Sequence, residues 1–218
     1  MLDIGVVLQG PTEDKDWLKK CALMGLLTFA LMLLPLVGAV VGSLNLMGWM
    51  RRYTEGRLRG ETQIPEVGLG YIGAGWGLFL MYLPLVGLLV LAFGLLAGVV
   101  AVGAVLKIEA IVALGTLGFT IATVPVTLWM AVFSGAMLYL FLVDGERWAS
   151  IRLGAQWRLA SQLGTQYLLF WIAMLLAGVI AQLGAVACLV GLVVTMPYSY
   201  LMQGIAVAEL QRVVRSKG

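Results

Sequence analysis

Four apolar blocks, residues 21–50, 76–106, 108–143 and 163–208, make up most of this 218-residue chain, and its 14 basic residues stand almost entirely between them. Each block exceeds the roughly 20 residues that carry a helix across a hydrocarbon core. None shows the ten-residue alternation of a transmembrane barrel strand. A backbone in lipid has no water to bond, so each segment must satisfy its own amides, which a helix does. The pattern predicts an all-α integral membrane protein. Composition agrees: 61% of residues are hydrophobic and 11% charged, with mean hydropathy +1.00, whereas a soluble domain is about 25% charged.

The basic residues form islands: Lys15, Lys19 and Lys20; Arg51, Arg52, Arg57 and Arg59; Lys107 alone; Arg147, Arg152 and Arg158; Arg212, Arg215 and Lys217. If every block crossed once, the islands would alternate and leave seven on each side. Short cytoplasmic segments are expected to hold the excess. An arrangement in which the first block turns back on itself, the next two cross once each and the last crosses twice places 13 of the 14 on one face. That arrangement puts both termini in the cytoplasm.

The turning point is marked by a repeat. LMLLPLVG at 31–38 returns as LMYLPLVG at 80–87. Proline removes an amide donor and clashes with the carbonyl four residues back, and glycine tolerates left-handed angles. Pro35 with Gly38, and Pro84 with Gly87, are therefore expected helix breaks. Around Pro35 the arms 21–34 and 39–50 reach only about 20 Å each, short of a core of about 30 Å, which suits a hairpin dipping into one leaflet. A kinked membrane helix at each proline is the other reading. Pro125, central in the third block, leaves a further hairpin open, so four to six membrane helices are expected.

Small residues at i, i+4 let helix backbones approach closely in lipid. Gly38 with Gly42, Gly73 with Gly77, Gly94 with Gly98, and the ladder Ala173, Ala177, Ala181, Ala185 are the candidate packing residues. Packing within the chain and a surface for a partner subunit are both compatible with them.

Two segments read as membrane-surface elements. In DGERWASIRLGAQWRLASQL, 144–163, Arg147, Ser150, Gly154, Arg158 and Ser161 fall to one side of a helical wheel, and Trp148, Ile151, Ala155 and Leu159 to another. Interleaved Trp and Arg suit a helix at headgroup level. Arg51, Arg52, Arg57 and Arg59, in RRYTEGRLRGE, are expected to meet headgroups as do Arg147, Arg152 and Arg158. Basic islands this dispersed, with net charge +3, argue against nucleic-acid binding.

The chain offers little chemistry. It has no histidine, which excludes imidazole-based catalysis and imidazole-ligated metals. Cys21 and Cys188 are isolated and read as buried apolar residues. Lys107 and Glu109 are the central charges, best accounted for by a short external turn. No paired carboxylates, Walker loop or GxSxG occur. The N-terminus lacks a signal-peptide pattern, so the first apolar block is expected to remain.

The order KKCALMGLLTFALMLLPLVG, GWMRRYTEGRLRGETQIPE and a second LPLVG-broken segment resembles a bacterial and archaeal membrane family labelled domain of unknown function 4013. The motif positions are Gly48, Trp49, Arg51, Arg52, Gly60, Glu61, Pro65 and Glu66. TMPYSYLMQGIAVAELQR resembles the final helix of that family and of membrane domains attached to glycerophosphodiester phosphodiesterases. The chain departs from the pattern after Pro65-Glu66, where VGLGYIGAGWG replaces an acidic stretch. The resemblance implies a fold and no reaction.

One membrane domain, 1–218, is expected. It comprises a cytoplasmic N-terminus 1–20, a helical hairpin 21–50, a basic interfacial loop 51–75 and two Pro-broken helices 76–143. An interfacial helix 144–163, a helix pair 164–208 and a basic tail 209–218 follow. The expected role is non-enzymatic and without cofactor: a structural or accessory subunit, or organiser, of a larger assembly in a prokaryotic inner membrane. Its expected partners are the bilayer, anionic lipids, and other membrane subunits or a second copy. The alternative is a small transporter or channel component, whose broken helices would line a path.

Overall fold

The computed structural model describes residues 1–34, 37–145, 152–186 and 188–216. Within them the chain is all-helical, with no strand among the described residues. The helices are α1 (Ile4–Gln9), α2 (Trp17–Met32), α3 (Val37–Leu58), α4 (Ile72–Val105), α5 (Glu109–Tyr139), α6 (Leu153–Leu163), α7 (Thr165–Val186) and α8 (Cys188–Arg215). A 3₁₀ turn, Gly10–Glu13, follows α1, and a π turn, Leu140–Asp144, follows α5. Two described segments are long and apolar enough to cross a membrane, Thr165–Gly184 and Gly191–Arg215; the bent pair within α4 makes a third if it is one span.

α2 and α3 lie antiparallel. A Cβ on Gly38 would meet the Leu31 carbonyl oxygen at 1.7 Å, one on Gly42 would lie 3.3 Å from that of Thr28, and Asn45 donates to the Met24 sulfur at 3.6 Å. The second arm is longer than expected. Instead of giving way to a loop at residue 51, α3 runs to Leu58 and carries Arg51, Arg52 and Arg57. Arg and Glu are good helix formers, and the i, i+4 pair Arg51–Glu55 at 2.9 Å adds support. Gly60 ends the helix at φ 88°, with its amide and that of Glu61 bonded to the Arg57 and Gly56 carbonyls, a glycine C-cap. Pro35 lies outside the described residues.

At the second copy of the repeat, α4 continues through Pro84 and Gly87. The segments Ile72–Pro84 and Leu89–Val105 meet at a 40° bend. A proline deletes one hydrogen bond and forces a kink, while the flanking turns keep the rest of the ladder; the expected break is a bend. α5 is likewise one helix from Glu109 to Tyr139. Its junction with α4 is the expected short turn, where Lys107 sits at φ 54°.

The core lies at the basic end. Trp49 and Tyr53 of α3, Met24 of α2 and Leu201, Met202 and Ile205 of α8 are fully buried there. Beyond it, α4 and α5 touch each other through Gly103 on Ile111, Gly115 on Val100 and Phe93 on Phe119. Their outer faces, including Val90, Leu95, Val102 and Leu114, are exposed, as a lipid-facing surface is.

The packing residues divide. Ala173 and Ala177 are buried, Ala181 is half-buried, and the Ala185 side chain lies outside the described residues. Gly38 and Gly42 are at helix contacts. Gly94 and Gly98 are not: a Cβ on either would meet open space. Spacing along one helix shows which residues share a face, not whether another helix covers it. Further tight approaches belong to unpaired glycines: Gly25 on the Val193 carbonyl, Gly48 and Gly75 on each other's helices, and Gly204 on Thr54.

Candidate membrane-interface site

The helix arrangement gathers the charged segments. Glu13 bonds Arg57, Lys20 bonds Glu66, the Leu2 amide donates to Gln166, and Tyr139 donates to Gln211. The N-terminus, the end of α2 carrying Lys20, the ends of α3, α5 and α8 and the start of α7 thus share one end, while Lys107 occupies the far turn between α4 and α5.

A latch organises that end. Asp14 accepts from the Ile64 amide at 2.8 Å, the Asp16 amide at 2.8 Å and Lys20 Nζ at 3.1 Å. Lys20 Nζ also donates to the Ile64 carbonyl at 2.7 Å and reaches Glu66 at 3.3 Å. Burial opposes the charge on Asp14, yet the bonds from Ile64, Asp16 and Lys20 outweigh it and hold the carboxyl below its ordinary range. Burial opposes the charge on Lys20 too, and Asp14 and Glu66 overcome it, raising the ammonium pKa. The connection between α3 and α4 is pinned further by Trp49 Nε1 to the Pro65 carbonyl at 3.0 Å, Asn45 Nδ2 to the Gly68 carbonyl at 2.9 Å, and the Tyr71 hydroxyl to the Glu66 carbonyl. Trp49, Pro65 and Glu66 thus meet in one loop anchorage.

The arginines of α3 are all engaged. Arg51 bonds Glu55 at 2.9 Å and the Ala74 carbonyl at 3.3 Å, and its guanidinium lies 5.9 Å from the Phe141 ring centre. Arg52 reaches the same carboxylate at 3.5 Å. Arg57, only 8% exposed in its side chain, bonds Glu13 at 2.6 Å. Just past the helix, Arg59 bonds Glu61 at 2.8 Å at the surface; this mutual bond raises the pKa of Arg59 and lowers that of Glu61. None of these carboxylate partnerships was part of the expectation that these four arginines meet headgroups.

α6 differs. Arg152 and Arg158 are exposed and make no ion pair with a described residue; Arg158 Nε reaches the Gly154 carbonyl at 3.3 Å. Arg147, Trp148, Ser150 and Ile151 lie outside the described residues. The wheel placed Ala155 and Leu159 apart from Gly154, Arg158 and Ser161. Both pack toward the core, with Gln156 and Leu163 buried beside them. The outward face carries Leu153 and Trp157, 56% and 67% exposed, with the Trp157 ring 6.4 Å from Phe133. Of the segment 144–163, the helix forms over Leu153–Leu163. A wheel sorts residues by face and leaves open which face the protein takes.

Compared with known proteins, the chain matches no family model, no curated protein and no solved structure.

Proposed function

We propose that this chain is a non-enzymatic organising or accessory subunit of a prokaryotic inner membrane, with both termini cytoplasmic and four to six membrane helices, α2 and α3 forming a re-entrant pair. One observation carries the reading: α6 turns Leu153 and Trp157 outward beside Arg152 and Arg158, which have no carboxylate partner among the described residues. A helix with an exposed indole and exposed guanidiniums suits the headgroup layer, where the ring sits at the boundary and the cations meet phosphate. The latch at Asp14 and Lys20 supports a stiff cytoplasmic platform for a partner subunit or a second copy. The resemblance through Trp49, Gly60, Pro65 and Glu66 points to the same kind of membrane domain.

A transporter or channel component is the second reading. It is favoured by a groove of about 470 Å³ between α5 and α7, where Ser134 and Gln182 are polar among apolar neighbours, and by the bend in α4.

Two experiments test the proposal. With Cys21 and Cys188 replaced by alanine, Ile108→Cys and Gly154→Cys are labelled in intact cells and in inverted vesicles. Residue 108 is expected to react from outside and residue 154 from inside; the reverse overturns the topology. Purification in mild detergent is expected to recover a stoichiometric membrane partner or a homo-oligomer. A lone monomer that drives solute flux in liposomes favours the transporter.

A further inference from the structure

We infer that the cleft between the ends of α3 and α8 is a binding site for a phosphate group, presented by an anionic lipid headgroup or as a soluble phosphate. The cleft encloses about 340 Å³ and is lined by Arg57, Arg59, Arg212, Arg215 and Gln211, with Leu58, Gly60 and Ala208 completing it; no carboxylate is among the lining residues. Glu13, Glu61 and Glu209 hold three of the arginines from outside the lining, each through one nitrogen: Arg57 Nη1, Arg59 Nε and Arg212 Nη1. Arg215 makes no ion pair with a described residue. A guanidinium has five N–H donors in a planar fork suited to phosphate oxygens, so these pairings orient the arginines while Arg59, Arg212 and Arg215 keep exposed donors for a ligand.

Three of the carbonyls at these helix ends are bonded within the chain. The Gly56 carbonyl accepts from the Arg59 and Glu61 amides, that of Arg57 from the Gly60 amide, and that of Arg212 from the Ser216 amide. The left-handed turn at Gly60 carries the chain past the end of α3, so Arg59 joins Arg57 at the cleft. The cleft closes the end of the apolar segment Gly191–Arg215. Its location at headgroup level rests on the membrane reading above.

The test uses the full chain in detergent. Fluorescent phosphatidic acid, phosphatidylglycerol and phosphatidylcholine are titrated, and in parallel inorganic phosphate and glycerol 3-phosphate by calorimetry. R59Q/R215Q removes two exposed cleft arginines; R152Q/R158Q makes the same charge change on α6. The first pair is expected to weaken anionic-ligand binding about tenfold or more, and the second by less than about twofold, given the size of a single arginine's contribution near a lipid surface. Loss confined to the two anionic lipids assigns a headgroup; loss that extends to inorganic phosphate or glycerol 3-phosphate assigns a soluble ligand. Equal losses in both double variants, binding unchanged in R59Q/R215Q, or phosphatidylcholine bound as well as the anionic lipids would overturn the site. Cysteine labelling and partner recovery use none of these arginines, so the organiser reading and the cleft fail separately.

Discussion

Gly48 of α3 and Gly75 of α4 meet backbone to backbone. A Cβ on Gly48 would stand 1.9 Å from the Tyr71 carbonyl oxygen, and one on Gly75 the same distance from that of Leu44. Neither obstacle is the movable end of a side chain, so an added methyl must push two helices apart.

Gly48→Ala and Gly75→Ala should each destabilise the fold by about 2–3 kcal/mol, the range of overpacking in a close contact. Gly94→Ala and Gly98→Ala, which face open space, should leave stability unchanged or raise it by up to about 1 kcal/mol through helix propensity. Thermal unfolding in detergent separates the two pairs; equal effects would contradict the packing described.

Asp14→Asn leaves Lys20 with the Ile64 carbonyl and Glu66 alone, at a cost of about 2 kcal/mol. The pH dependence has a defined sign. Asp14 has a folded pKa below its ordinary value of 3.8, so its contribution is complete above that value and is lost as pH falls below it. Lys20 has a folded pKa above 10.5, so its contribution is complete below that value and is lost as pH rises above it. Chemical unfolding at stepped acid pH should show the wild type losing stability toward the level of the Asp14→Asn variant, with the gap constant near neutrality.

A spin label at Trp157→Cys in lipid vesicles should be more accessible to oxygen than to a nickel chelate, and a label at Arg152→Cys the reverse. Replacing Leu153 and Trp157 together by alanine should move global stability by less than about 1 kcal/mol, because both are exposed in the fold. A large loss of stability would mean that this face packs on protein.

Lys107 holds a left-handed conformation at φ 54°, which costs a residue with a Cβ about 1 kcal/mol. Lys107→Gly should therefore raise the melting temperature, read by calorimetry, by relieving strain in the turn that closes α4. A lower melting temperature would show that the lysine side chain contributes more than its backbone costs.

Much of this architecture is legible along the chain because its causes are local. Unbroken apolar blocks require helices. The apolar runs on either side of Pro35 become α2 and α3. Ala173 and Ala177 share a buried face because they lie one helical turn apart. Glycine contacts are another matter: Gly94 and Gly98 have the motif and no neighbour, while Gly25, Gly48 and Gly75 have neighbours and no motif. A missing side chain creates room in every direction, and only the position of a second helix turns that room into a contact.

The sequence by itself determined the helical class, the length of the apolar runs and the separation of Lys107 from the other basic residues, since each follows from solvation of a segment within its own span. Tertiary structure alone decided that Arg57 meets Glu13, which face of α6 turns outward, and that Arg57 and Arg59 would line one cleft with Arg212 and Arg215. The cleft joins residues about 150 positions apart, and such distances are set by helix packing, which no local periodicity encodes.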